Sequence, residues 1–153
     1  MSAPMHIQLI AVGRCRDKAI QSLCAEYLKR LKAYYPTTVV EVAAAGEDTV
    51  TEAGNLLAKI PSDAKVVALD ERGKSLTTRD FAGQLQRWLD DGTRTVVLLI
   101  GGAAGLTDAV RARADLILSL SALTLPHMLV RPVVLEQIYR AATVNSGHPY
   151  HRD

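Results

Sequence analysis

Thr95-Val96-Val97-Leu98-Leu99-Ile100, followed at once by Gly101-Gly102, decides the fold class. No polar side chain falls between Val96 and Ile100, so both faces of this segment must be shielded from water, as in the middle of a parallel sheet covered by helices on either side. Outward from it the chain alternates. Met5 to Val12 (MHIQLIAV) and Thr37 to Val42 (TTVVEV) read as strands one and two. Lys65 to Leu69 (KVVAL) is strand three, closed by Asp70 and the turn ERGKS, and Leu116 to Leu120 is strand five. Between the first two strands, Ile20, Leu23, Cys24, Tyr27, Leu28, Leu31 and Tyr34 recur at the three-and-four spacing of one helical face. Further helices are predicted from about Thr51 to Ile60, from a cap at Thr78 with Phe81, Leu85, Trp88 and Leu89 on one side, over Asp108 to Ala114, and from about Leu129 to Val144. Parallel neighbours need long crossovers, which helices supply. The pattern therefore predicts one α/β domain over residues 1–153, a mostly parallel sheet with helices on both faces.

Composition narrows the function classes. With 48% hydrophobic and 22% charged residues over 153 positions, a core can form without disulfide or metal staples. Lys plus Arg is 18 against Asp plus Glu 16, a net +2 that does not mark a nucleic-acid binder by charge alone. The distribution is uneven: Arg14, Arg16, Lys18, Lys29, Arg30 and Lys32 face only Asp17 and Glu26 in the first 35 residues. The polar face of helix one is thus basic, either as a solvated surface or as one that contacts phosphates. Cys15 and Cys24 lack a CxxC partner or a neighbouring His, which argues against a zinc site and for a reducing cytoplasm. Cys24 falls in the apolar stripe and reads as a small core hydrophobe. Met1 to Met5 carries neither a basic segment nor a long apolar one, and no apolar run reaches the ~20 residues of a membrane span, so export and insertion are disfavoured.

In open α/β sheets ligands settle outside the carboxyl ends of strands. Here those ends are Leu69-Asp70, Gly101-Gly102 and Leu120 to Leu125. The glycine pair either lets a backbone approach a ligand without Cβ interference or makes a tight strand-to-helix turn, and the local pattern leaves both open. GGAAG is not G-x-G-x-x-G, no acidic residue ends the next strand, and no G-x-x-x-x-G-K-[ST] loop is present, so the common dinucleotide and nucleotide folds are poorly supported. Ser119 to His127 (SLSALTLPH) is too apolar for an exposed loop: it is either buried, or it clamps an adenine between main-chain groups and leucines. Three of the four His residues lie in the final 27 positions, and NSGHPYHRD places His148, Tyr150, His151 and Arg152 together, as a solvated tail or a proton-transfer site.

Four separated motifs, LLIGG-x-x-GL (98–106), LSLSALTLPH (118–127), R-x-x-x-x-EQ-x-YRA (131–141) and HPYHRD (148–153), with a start like HIQLIAVGR, resemble the bacterial 23S rRNA pseudouridine N3-methyltransferases. These are short SPOUT-type enzymes, and the resemblance covers the whole chain. It implies a C-terminal trefoil knot, one of the rare exceptions to unknotted connections, that holds S-adenosylmethionine bent. By position, the cofactor contacts would be Leu69, Gly101 and the run Leu120, Ser121, Ala122, Leu123, Thr124 and Leu125. It further implies a homodimer built on the last helix, no metal, and methylation of N3 of a pseudouridine in the 23S rRNA of the assembled 70S ribosome. His151 would assist removal of the N3 proton, Tyr150 would pack against or hydrogen-bond the base, Arg140 and Arg152 would stabilise charge on the imide oxygens, and His127 would shape the cofactor loop.

Two departures carry expectations of their own. Pro132 should kink the last helix or push its start later. Gly46-Glu47-Asp48 is acidic where relatives are often lysine-rich, which leaves helix one as the better basic surface. The alternatives are a SPOUT enzyme acting on tRNA, a non-catalytic RNA-binding ribosome-assembly dimer, and a phosphate-binding α/β module using Gly101 to Gly105.

Overall fold

The computed structural model describes residues 4–153, so most of the Met1 to Met5 opening read above for a leader lies outside the described residues. Strands and helices alternate: β1 His6–Val12, α1 Lys18–Leu31, β2 Thr37–Val42, α2 Thr49–Leu57, β3 Lys65–Ser75, α3 Thr78–Asp90, β4 Thr95–Ile100, α4 Asp108–Arg113, β5 Leu116–Ser119 and α5 His127–Ser146. All pairings are parallel, in the order β2-β1-β4-β3-β5, which puts the all-apolar β4 in the centre. The pleat sends Ile7, Leu9, Val96, Leu98 and Ile100 to one face, against Leu31 of α1, Phe81, Leu85 and Trp88 of α3, and Leu135 and Ile138 of α5. Ile10, Val12, Val97 and Leu99 meet Ala53 and Leu56 of α2 and Val110 of α4 on the other. Each large aliphatic buried in this way stabilises the fold by roughly 1.5–3 kcal/mol.

Local chemistry sets most boundaries. The Asp17 carboxylate accepts from the N–H groups of Ala19 and Ile20, Asp48 caps α2 through Thr51, and Thr107 caps α4 through Val110. The cap of α3 is Thr77 rather than Thr78: Thr77 is extended and accepts from the Asp80 N–H, while Thr78 begins the helix and donates its hydroxyl to Gln137 Oε1 at 2.8 Å. α5 begins at His127, earlier than predicted, and runs through Pro132. Beside Pro132, Arg131 donates to the carbonyls of Val12 and Gly13 and to Glu41, which ties this turn of the helix to β1 and β2.

The largest difference from the sequence reading is β3, which does not close at Leu69. Leu118 of β5 pairs with Leu69 and, after a register shift, with Lys74, while Ser75 pairs with Ser119. Residues 70–73 therefore leave the sheet and return along the same short strand. A Cβ at Gly73 would stand 2.5 Å from the carbonyl carbon and oxygen of Ile117 and 2.7 Å from the Leu118 nitrogen. ERGKS reads as a turn from its composition, but the glycine is there because a second backbone passes against it.

Candidate active site

Leu69 to Arg72 of β3 and the carboxyl ends of β4 and β5 surround a cavity of about 640 Å³, within the size range of small-molecule sites. Leu69, Gly101, Leu120, Ser121, Leu123, Thr124 and Leu125 all line it, as does His127; of the eight positions named from sequence only Ala122 does not. Behind the turn after β4, a Cβ at Gly101 would come 3.0 Å from Gly105 and Leu106, and one at Gly102 would come 2.9 Å from Glu52 Oε1. The turn is closed by the Gly105 N–H on the Gly102 carbonyl at 3.0 Å, with Gly105 at φ +84°. The glycines thus serve tight packing on one side while the same turn walls the cavity on the other.

The loop after β5 is not buried. Ser121 fixes it locally, its hydroxyl accepting from the Leu123 N–H at 2.9 Å, yet Leu123 is 77% exposed. Among the described residues the main-chain groups of Thr124 and Leu125 have no hydrogen-bond partner. An apolar loop with open amides and carbonyls around such a cavity fits a flat, edge-bonding heteroaromatic group between leucines.

Sequence reasoning missed a second device here. Arg111 of α4 donates to Asp70 Oδ2 at 2.8 Å and to the Leu106 carbonyl at 2.9 Å, and pairs with Asp108. It ties the cavity's glycine turn to the end of β3. Asp70 was visible as a strand end; its partner, 41 residues on, was not.

The tail forms a separate cluster on α5. Glu136 accepts from Arg140 Nε at 3.2 Å and from the Tyr150 hydroxyl at 3.0 Å. Arg140 lies over the Tyr150 ring, 4.7 Å from its centroid, and that ring packs edge-on against Tyr139. Arg140 Nη1 is 3.3 Å from His151 Nδ1, and His151 Nε2 is 2.9 Å from Asp153 Oδ1, which Arg79 of α3 also holds. Because arginine can only donate, Nδ1 accepts and Nε2–H donates. Burial first, then the Tyr27 and Glu136 groups, push the Tyr150 phenol up to about 12, so at neutral pH it is a donor and not a base. Arg152 is exposed and makes no ion pair among the described residues. The structure thus joins Tyr150, His151 and Arg140, leaves Arg152 apart, and adds Glu136, Arg79 and Asp153. Glu136, inside the EQ motif, and Asp153, the last residue of HPYHRD, had a signal in sequence; Arg79 had none.

No residue of this cluster lines the larger cavity. A smaller one, about 240 Å³, shares Leu69, Leu118, Ser119 and Leu120 with it and reaches Val133 and Gln137 of α5. Among the described residues no group of His, Cys, Asp and Glu could hold a metal ion, and no helix is long and apolar enough to cross a membrane.

The protein family described as predicted SPOUT methyltransferase matches residues 5–151. The chain belongs to the SPOUT methyltransferase family. Curated relatives span its length: "Ribosomal RNA large subunit methyltransferase H" of Thioalkalivibrio sulfidiphilus is 45% identical, over 97% of this chain and 100% of the relative. The protein of the same name from Rhodospirillum centenum is 47% identical, over 97% and 99%. Among solved structures, a probable methyltransferase of Bordetella pertussis Tohama I superposes with a TM-score of 0.61 at 17% identity, over 90% of this chain and 95% of that one. That likeness shows the α/β fold of this SPOUT methyltransferase.

In this SPOUT methyltransferase Glu136→Gln should lower the Tyr150 phenol from about 12 toward ordinary tyrosine, because the carboxylate that opposes its ionisation is gone. Ultraviolet phenolate titration, with Tyr150→Phe to identify the signal, checks this; an unmoved titration would show that burial and Tyr27 set the value without Glu136.

Proposed function

We propose that this SPOUT methyltransferase, acting as a single domain, uses S-adenosylmethionine to methylate N3 of a pseudouridine in 23S rRNA within the assembled ribosome. The reading is carried by one observation: the positions the resemblance assigns to the donor converge, from three separate strand ends, on one cavity whose apolar loop is open to solvent. The names of the relatives support an rRNA substrate. When bound, S-adenosylmethionine supplies a methyl group on a sulfonium, with a neutral thioether as the leaving group.

In this reading Leu120, Leu123 and Leu125 cover the adenine, and the open main-chain groups of Thr124 and Leu125 pair with its edge. The excursion of residues 70–73 around β5 is the loop through which the carboxyl-terminal segment threads to form the trefoil knot; the double pairing of Leu118 and the backbone contact at Gly73 support it. N3 of the target becomes nucleophilic as its proton leaves, and negative charge then builds on the flanking imide oxygens. Arg140, held by Glu136 and stacked on Tyr150, is placed to stabilise that charge. Both ring nitrogens of His151 are engaged, so its part is to hold Arg140, and it takes the N3 proton only by releasing the guanidinium. Arg152, exposed beside them, meets the imide oxygens or an adjacent phosphate.

Since the tail cluster and the donor cavity do not meet within one chain, the working unit is a homodimer in which one protomer's tail faces its partner's cavity. Leu129 and Val133 of α5 and Leu23 of α1 are exposed apolar side chains that such an interface would cover. Arg14, Arg16, Lys18 and Lys29, all exposed, offer the rRNA a basic surface, so binding should weaken steeply with salt.

The purified protein is expected to label 70S particles from methyl-labelled donor and to leave naked 23S rRNA unlabelled. Mass spectrometry should place the added methyl on a pseudouridine base. Equal labelling of both substrates, or a methyl found on tRNA, would overturn the reading.

A further inference from the structure

Asp70, Glu71, Arg72 and Arg111 are the Asp, Glu, Lys and Arg residues that line the larger cavity. Asp70 and Arg111 neutralise each other at 2.8 Å, and Arg111 also donates to the Leu106 carbonyl and pairs with Asp108. Arg72 differs: it is exposed, and its guanidinium makes no hydrogen bond or ion pair among the described residues. Its main chain is nonetheless fixed, because the Arg72 N–H donates to Asp70 Oδ1 at 2.8 Å and Gly73 beside it lies against the Ile117 carbonyl. Neighbours along an extended segment point to opposite faces, so Arg72 diverges from Glu71 and shares the side of Asp70, whose carboxylate reaches Arg111 of α4. The Asp108 carboxyl at the start of α4 is held low chiefly by Arg111 and in addition by Arg72, which agrees with a guanidinium on the α4 side.

An open cation on a fixed main chain at a cavity wall suits an anion that enters the cavity. Resting on the donor proposed above, S-adenosylmethionine has one anionic group, the α-carboxylate of its methionyl end. With the adenine on the loop after β5, that end has the rest of the cavity, walled by Leu69 to Arg72 and by Gly101 to Leu106. His127 belongs to the adenine side, and Arg111 is already engaged by two carboxylates. Arg72 is the guanidinium left open, and its planar fork matches a carboxylate with two parallel N–H donors. We infer that Arg72 is a binding residue for the methyl donor, recognising the α-carboxylate of its methionyl end.

Calorimetry with three adenosine ligands tests this without turnover. S-adenosylhomocysteine carries the α-carboxylate; its decarboxylated analogue and 5′-methylthioadenosine do not. The wild type should bind the decarboxylated analogue about 10-fold more weakly than S-adenosylhomocysteine, the scale of one charged hydrogen bond. Arg72→Gln is expected to weaken S-adenosylhomocysteine by about the same factor and to leave the other two ligands within about 2-fold, which erases the discrimination. Arg72→Lys should fall between, since it keeps the charge and loses the fork. A wild type that binds S-adenosylhomocysteine and its decarboxylated analogue equally would overturn the inference, as would an Arg72→Gln protein that still discriminates between them. Equal losses for all three ligands would reduce Arg72 to a support of the loop and overturn it too. Unchanged S-adenosylhomocysteine affinity with weaker binding to 70S particles would overturn it in favour of an rRNA phosphate. If the folded wild type binds none of these ligands, the donor reading of the cavity falls, and this inference with it.

Discussion

Gly73→Ala is expected to lose about 3 kcal/mol of stability, the upper part of the range for overpacking, and to abolish donor binding. The added methyl would stand 2.5 Å from two backbone atoms of Ile117 and 2.7 Å from a third, in Leu118. No rotamer change can relieve a clash with main chain, so the β3 extension must move off β5, breaking the Lys74–Leu118 and Ser75–Ser119 pairings. Asp70, Glu71, Arg72, Leu118, Ser119 and Leu120, which flank that contact, all line the larger cavity, where the donor is proposed to bind. Urea unfolding and calorimetry with S-adenosylhomocysteine measure the two effects. Gly54→Ala is the control: it sits in α2 with nothing within 4 Å of an added Cβ, and should stabilise the protein by about 0.5–1 kcal/mol. A Gly73→Ala protein as stable as the wild type would mean that this loop does not lie against β5, and the proposed threading would fail.

Arg131→Met should destabilise by about 1–3 kcal/mol, the cost of leaving the Val12 and Gly13 carbonyls without their donor, because water can meet the partly exposed Glu41 carboxylate. Arg131 is 2% exposed and joins three segments: it donates to the Gly13 carbonyl at 2.7 Å, to the Val12 carbonyl at 3.2 Å and to Glu41 of β2. Glu41 also accepts the Cys15 N–H at 2.7 Å. Burial works to raise the Glu41 carboxyl, but the Cys15 N–H and the guanidinium outweigh it and hold the group below the usual carboxylate value. A carboxylate depressed in the folded state contributes stability above its unfolded value and loses it as pH falls through the folded one. The gap between wild type and variant should therefore be widest at neutral pH and narrow on acidification through the carboxylate range. Urea midpoints across that range check it; a gap that stays constant would show that Glu41 draws no stability from Arg131.

How much of this was legible beforehand follows from distance along the chain. The β4 run and the helix stripes are local, and the structure keeps them; the cap read at Thr78 falls one residue earlier, at Thr77. Cys24 is half-buried against the core, and burial pushes its thiol up, as suits a small hydrophobe rather than a nucleophile. The cavity residues were readable because each group adjoins a strand end, and parallel strands bring their ends to one side of the sheet. Glu52, the Asp70–Arg111 pair and the Arg131–Glu41 pair were not, since no period or spacing links residues 41 or 90 positions apart. Glu136 meets Tyr150 only once the tail has folded back along α5.

Sequence by itself determined that alternating strands and helices would build a covered parallel sheet, because burial follows side-chain period and period is written locally. It also pointed to Leu69, Gly101 and the run after β5, most of which the structure gathers around one cavity. Only the tertiary structure decided that β3 shifts register over residues 70–73 and returns to pair with β5, that an unmet carboxylate stands behind Gly102, and that the tail gathers on α5 away from the cavity. Those are meetings between distant segments, fixed by how backbones close against one another and by which buried charges find partners, and neither is encoded in any single stretch of residues.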